Sequence, residues 1–171
     1  QAAGLSLEGR FPRYDIFPVA VQVDVRNPGV LISRRRHRGL RVSRIVEAIK
    51  TERNRLLNRP FNARQFLEEL SEQYDSLVEL ESAKHGVKFA GQDISLRAIY
   101  GRLTPMRQWR SQYPERFFTF DLHRLIRSRE DKAPDGRRVR WAPSNVTKNN
   151  LRVLDASERE LQLGLISFRK E

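Results

Sequence analysis

The chain has no cysteine, which excludes disulfides, thiolate metal sites and a cysteine nucleophile. It has no apolar run long enough to span a membrane and no segment resembling a signal peptide. Histidine is sparse: His37, His85 and His123 lie far apart and lack the spacing of metal ligands. Asp121 precedes His123 by two positions, and such neighbours do not face each other on a helix. No glycine-rich loop has phosphate-binding spacing. Glu79, Glu81 and Lys84 come nearest to a nuclease-like cluster, but they share one acidic helix with no strand-borne partner. These absences predict a protein without catalytic residues, metal ligands, cofactor or small-molecule substrate. They fit an intracellular location, cytoplasmic or nuclear. The opening Gln-Ala-Ala-Gly, without Met, fits a processed form or a fragment.

Positive charge is abundant. The net charge of +12 comes from 33 Lys and Arg against 21 Asp and Glu, and a charge this far from zero bears on partners rather than fold. Its distribution is uneven. Residues 1–60 carry 13 basic and 5 acidic side chains, residues 61–92 carry 3 and 6, and residues 93–171 carry 17 and 10. Two basic regions flank an acidic one. The densest run is Ser-Arg-Arg-Arg-His-Arg-Gly-Leu-Arg at 33–41. Arginine stays charged at every physiological pH, and its planar fork matches pairs of phosphate oxygens. Arg34, Arg35, Arg36, Arg38 and Arg41 are therefore predicted to follow a nucleic-acid backbone as a tether before the next helix. The competing reading is a solvated basic loop.

Periodicity divides the chain into residues 1–60, a basic β-strand and helix arm, and residues 61–171. In the arm, "YDIFPVAVQVDV" at 14–25 reads as a half-buried strand with Val19, Val21, Val23 and Val25 on one face. "NPG" is a turn, and "VLIS" a short partner strand. A helix from Val42 places Val42, Ile45, Val46 and Ile49 on one stripe, with Arg44, Glu47, Lys50 and Arg53 off it.

Beyond residue 60 the clearest helix runs over 62–84. Asn62 is an N-cap, Gln65 completes a capping box, and Phe61 and Phe66 stand as a hydrophobic staple. Its apolar spacing includes Phe66, Leu67, Leu70, Tyr74 and Leu77, and its outer face carries Glu68, Glu69, Glu72, Asp75 and Glu79. A short helix from Asp93 follows. Pro114 opens another through "ERFFTFDLHRLIRS". Strands are predicted at "RRVRWA", "LRVL" and "RELQLGLISFR". Trp109 and Trp141 fit packing better than base stacking.

The order from residue 62 is long helix, short extended piece, short helix, third helix, then β-hairpin. Over roughly residues 62–154 this resembles a winged-helix domain, a helix-turn-helix variant. The resemblance implies an α+β fold with a three-helix core and a C-terminal β-hairpin wing, the N-terminal arm being additional. It also implies that helix 114–129 reads double-stranded DNA and that the wing tip, within 143–150, touches the backbone. On that mapping Arg110, Arg116, Arg124 and Arg127 belong to the reading helix or its approach, with His123 and Arg129 beside them. Arg138, Arg140 and Lys148 belong to the wing, together with Arg137, Ser144, Asn145, Thr147 and Asn149. Residues 104–113 exceed the tight turn of a simple helix-turn-helix, and strand 159–169 is extra. DNA is the first partner expected and RNA the second. The alternative is a protein-docking module that uses acidic helix 62–84 and an edge strand over 19–25.

Overall fold

The structure is a computed structural model that describes residues 7–33, 35–38, 41–86, 90–154 and 159–170. It is α+β, and the chain divides into two compact units, 1–60 and 61–171.

Unit 1 is an antiparallel meander followed by a helix. Its strands are β1 (Glu8–Arg10), β2 (Arg13–Ile16), β3 (Val19–Val23), β4 (Gly29–Ile32) and β5 (Arg35–Arg38), paired in that order. The helix α1 covers Val42–Leu57. The strand predicted over 14–25 is two strands, because Phe17 and Pro18 form a turn between them; proline offers the ladder no N–H. Strand β3 is consequently an interior strand between β2 and β4 and not the edge expected at 19–25; among the described residues the edges are β1 and β5. Val25 falls beyond β3 and is exposed. Asp24 shapes the next turn by accepting from the N–H groups of Arg26 and Asn27 at 3.0 and 3.1 Å. At Gly29 a Cβ would lie 2.8 Å from the carbonyl oxygen of His37, so only glycine lets β4 and β5 approach there.

One face of this sheet is apolar. Ile16, Val19, Val21, Val30 and Ile32 are buried, as are Ile49 and Leu56 of α1. The buried stripe of α1 is shifted from the expected one. Val42 is exposed and Ile45 and Val46 are half-buried, whereas Glu52 is buried between Ile49 and Leu56. A carboxylate can occupy that position because Arg55 donates two hydrogen bonds to it, both 2.9 Å.

Unit 2 contains α2 (Ala63–His85), β6 (Ile94–Ser95), α3 (Leu96–Leu103), α4 (Arg107–Gln112), α5 (Glu115–Ser128), β7 (Arg138–Ala142), β8 (Leu151–Leu154), β9 (Glu160–Leu163) and β10 (Leu165–Arg169). Helix α2 starts and stops where the sequence marks it. Asn62 accepts from the Gln65 N–H at 3.2 Å, Phe61 packs on Phe66 with ring centroids 5.6 Å apart, and Gly86 ends the helix in the left-handed region. The Gln65 side chain donates to Glu69 rather than back to the cap. Phe66, Leu70, Tyr74, Ile99, Phe118, Leu122 and Phe168 anchor a core shared by helices and strands.

Strand pairing corrects the expected hairpin. Residues 138–142 do not pair with 151–154. Strand β7 pairs with β10, which also pairs with β6, giving the order β6-β10-β7, and β8 pairs with β9 in a separate hairpin. The segment 159–169 therefore serves two sheets and breaks at Gly164. Its N–H donates to Ala142 at 3.0 Å, and its carbonyl accepts from Leu96 at 2.9 Å. A Cβ at Gly164 would sit 2.5 Å from Ser144 Cβ, so no larger residue fits this crossing. The connection over 104–113, read as a long turn, contains α4.

Candidate nucleic-acid interface

Within the arginine run at 33–41, Arg35–Arg38 form a strand rather than a loop, and strand geometry sorts their side chains. Alternate residues face opposite sides of the sheet. Registers place Arg10, Arg13, Gln22, Leu31 and Arg36 in one cross-strand row, opposite the buried Val21 and Ile32. Arg38 shares the side of Arg36. Arg35 lies on the side of α1, close enough to Glu52 to help hold it ionised. Burial works to raise the Glu52 pKa, but the Arg55 hydrogen bonds and charge, the Ser33 hydroxyl and Arg35 outweigh it, and the net shift is downward. Arg34 lies outside the described residues.

Acidic side chains crowd one end of the open face. Glu8 and Asp15 are paired with each other across β1 and β2, next to Arg10 and Arg13. At the β5 end the nearest acid is Asp24, 3.0 Å from Arg36. Backbone N–H groups of Asn27 and Arg26 hold its carboxyl below the usual range; slight desolvation opposes them and Arg36 adds to them. Arg38, Arg41 and Arg44 are exposed, and none is in an ion pair among the described residues. Arg41 is the N-cap of α1, with no side-chain cap bond, and the first turn holds no acidic residue. Cations thus gather at the end of a 16-residue helix where the aligned peptide dipoles are already positive. That arrangement costs stability, and an anion would relieve it.

In unit 2 the expected reading surface is largely closed. Strand β8 packs against α5. His123 is buried, and its Nδ1 lies 2.7 Å from the Leu154 carbonyl oxygen. A carbonyl only accepts, so Nδ1 carries the proton. Arg124, expected to project outward, retains 20% side-chain exposure. Its guanidinium lies 4.5 Å from the Phe61 ring centroid and 4.0 Å from an oxygen of buried Asp121. Arg116 is half-buried against Phe117. Phe117, expected inside, is itself half-buried, while Leu122 and Leu125 are buried as expected. Arg127 is exposed.

The remaining sites divide similarly. Arg110 donates from Nε to the Thr104 carbonyl at 2.9 Å, tying α4 to the end of α3. Arg137 is structural. It makes two 2.7 Å bonds to Asp75 and also holds Asp135; the Asp75 bonds raise its pKa despite burial, with Asp135 adding to the shift. Arg138 pairs with Asp131 at 3.2 Å. Arg140 and Lys148 are exposed, and the 144–150 loop is closed on itself by two hydrogen bonds between Ser144 and Asn150. Trp141 packs against the core, whereas Trp109 is exposed.

Sequence periodicity missed two features. Arg44 was assigned only to the polar face of a helix, and the sorting of Arg36 and Arg38 to one sheet face depends on a strand hidden in a charge run. Among the described residues no group of three or more His, Asp or Glu could hold a metal, and no helix is long and apolar enough to cross a membrane. No family model matches the chain, and no match is found among curated proteins or solved structures.

Proposed function

We propose that the chain binds double-stranded nucleic acid, DNA in the first place, through Arg36, Arg38, Arg41 and Arg44 at the β5–α1 end of unit 1. The observation that carries this reading is the accumulation of exposed Arg38, Arg41 and Arg44 at the positive terminus of α1, with no side-chain cap and no ion pair among the described residues; Arg36 flanks them in a pair with Asp24. A phosphate backbone supplies the missing negative charge, and the arginines contact it without reading bases. Residues 35–38 and 41–45 include no Phe, Tyr or Trp on which unpaired bases could stack. That composition favours a duplex backbone over a single strand.

Unit 2 is read as a winged-helix-like body. Its three-helix core and the order β6-β10-β7 support this, with α4 and the β8–β9 hairpin as insertions. Its third helix is not assigned a reading role, because β8 and the contacts of Arg124 cover the face that would enter a groove. That closure favours a second reading, a docking module in which acidic α2 is the contact surface.

Fluorescence anisotropy with two unrelated duplexes, a single strand and an RNA, over a salt series, tests these readings. Electrostatic binding gives equal affinity for both duplexes and a log–log slope of about −0.9 per phosphate contacted. Changing Arg36, Arg38, Arg41 and Arg44 together to Gln should flatten that slope. A slope unaffected by the four changes would remove the interface from unit 1. Salt-insensitive capture of a protein partner would favour docking.

A further inference from the structure

Between α2 and α4 lies an open cavity of about 340 Å³ with three aromatic residues in its lining and Glu69 as its one charged lining residue. Phe66, Trp109 and Tyr113 supply three rings, Leu103 adds apolar surface, and Glu69 contributes a carboxylate. In a chain of 33 basic residues, Glu69 has no cationic partner among the described residues; its hydrogen bond comes from the neutral Gln65 amide at 3.2 Å. Trp109 is 45% exposed, and among the described residues no ring or guanidinium stacks on its indole. This contrasts with Phe61, Phe117 and Phe168, each of which has an arginine over its face.

The walls are held in place. Phe66 is wedged between Phe61 and Phe118, with ring centroids 5.6 and 6.1 Å away. Tyr113 donates its hydroxyl to Asp121 at 2.6 Å, and its carbonyl accepts from Tyr100 at 2.9 Å. The Thr104 hydroxyl is occupied by the Tyr100 carbonyl at 2.7 Å, so it presents little polarity to the cavity. Arg110 anchors α4 and thereby the Trp109 wall.

We propose that this cavity is an aromatic cage for an alkylammonium group, with Phe66, Trp109 and Tyr113 facing the cation and Glu69 balancing its charge. Rings attract a cation through their negative faces, tryptophan most strongly, and a weakly hydrated quaternary ammonium loses least on leaving water. A phosphate or carboxylate ligand would meet Glu69 with like charge, and a neutral apolar ligand would leave that carboxylate uncompensated. The group could arrive as a free quaternary amine or on a methylated lysine side chain, and the chemistry of the cage is the same for both.

The test follows the indole N–H resonances of the full chain by NMR. Choline chloride should shift the Trp109 resonance saturably and leave that of Trp141 in place, with sodium chloride as the ionic-strength control. The neutral isostere 3,3-dimethylbutanol should bind roughly fivefold more weakly or worse. Glu69→Gln should weaken choline by a similar factor, and Trp109→Leu, at an exposed position, should abolish saturable binding followed through the Tyr113 ring while other resonances keep their dispersion. A peptide carrying trimethyllysine that binds about tenfold tighter than choline assigns the source to a protein side chain; choline binding as tightly as the peptide assigns it to a free amine. Equal affinity for choline and its isostere, or no saturable shift with any probe, overturns the cage.

Discussion

Replacing Arg41 by serine should make the protein more stable and a poorer ligand for duplex DNA. Arg41 has the extended backbone of an N-cap, φ −65° and ψ 117°, but offers no acceptor to the helix N–H groups. A serine there adds about 1 kcal/mol. Removing a cation from the positive end of the dipole adds roughly 0.3–1 kcal/mol. Together they give about 1–2 kcal/mol, read as slower amide exchange in α1 and as a higher unfolding midpoint for unit 1, by roughly 4–8 °C per kcal/mol in a unit this small. Binding moves the other way. One phosphate contact fewer flattens the salt slope by about 0.9, which at ~0.1 M salt corresponds to about eightfold weaker binding, or ~1.2 kcal/mol. Opposite signs are the diagnostic, since damage to the fold would lower both quantities. Greater stability with unchanged binding would place Arg41 outside the interface. Unchanged stability would refute the claim that the terminus of α1 is electrostatically frustrated.

Other outcomes are expected. Arg124→Ala should destabilise unit 2 by about 1–2 kcal/mol, through lost cation–π contact and an Asp121 left without its neighbour, while leaving DNA affinity unchanged; a binding loss of comparable size in the anisotropy assay would return α5 to the interface. Phe66→Ala should cost roughly 3–5 kcal/mol in chemical denaturation, since the side chain is buried between two rings. Glu52 supplies a pH dependence. Its folded pKa lies below its ordinary 4.5, so its contribution is complete above about pH 4.5 and fades as the pH falls through the folded value. Glu52→Gln should therefore cost stability at pH 6 and much less at pH 3, and an equal cost at both would show that the carboxylate charge is not what holds the site.

Local signals carried the helices well. The cap at Asn62, the staple of Phe61 on Phe66 and the left-handed Gly86 lie within a few residues of what they control, and α2 follows them. Strand pairing is not local. Nothing near residue 164 announces that one apolar run will serve two sheets; that depends on the close approach of Ser144 and on bonds to Ala142 and Leu96. Charge also misled. Four successive described residues, Arg35 to Arg38, resemble a loop because no apolar alternation marks them, yet β4 supplies a template with which they pair. Glu52 was passed over as a core position because a charged residue does not read as part of an apolar stripe; its i+3 partner Arg55 is local, and only the support from Ser33 and Arg35 depends on the tertiary fold. The candidate interface suffered from the same gap. Its arginines and their position just before the helix at Val42 were visible, but their sorting by sheet face and the absence of a cap or acid in the first turn of α1 to offset them were not weighed.

The bond between Ala142 and Gly164 also sets an order of events during folding. Sheet β6-β10-β7 cannot close until those two residues meet, and residues 143–163 intervene. The β8–β9 hairpin is a local pairing and can form on the microsecond scale. Once it has formed, the disordered chain to be closed shrinks to little more than residues 143–150, which lowers the closure entropy by about 0.7 kcal/mol on the logarithmic dependence on loop length. Formed first, the hairpin would bring the ends of a distant register together before that register is itself stable. Weakening β8–β9 pairing at the exposed Gln162 should slow folding more than it speeds unfolding, in the manner of a contact already made at the rate-limiting step.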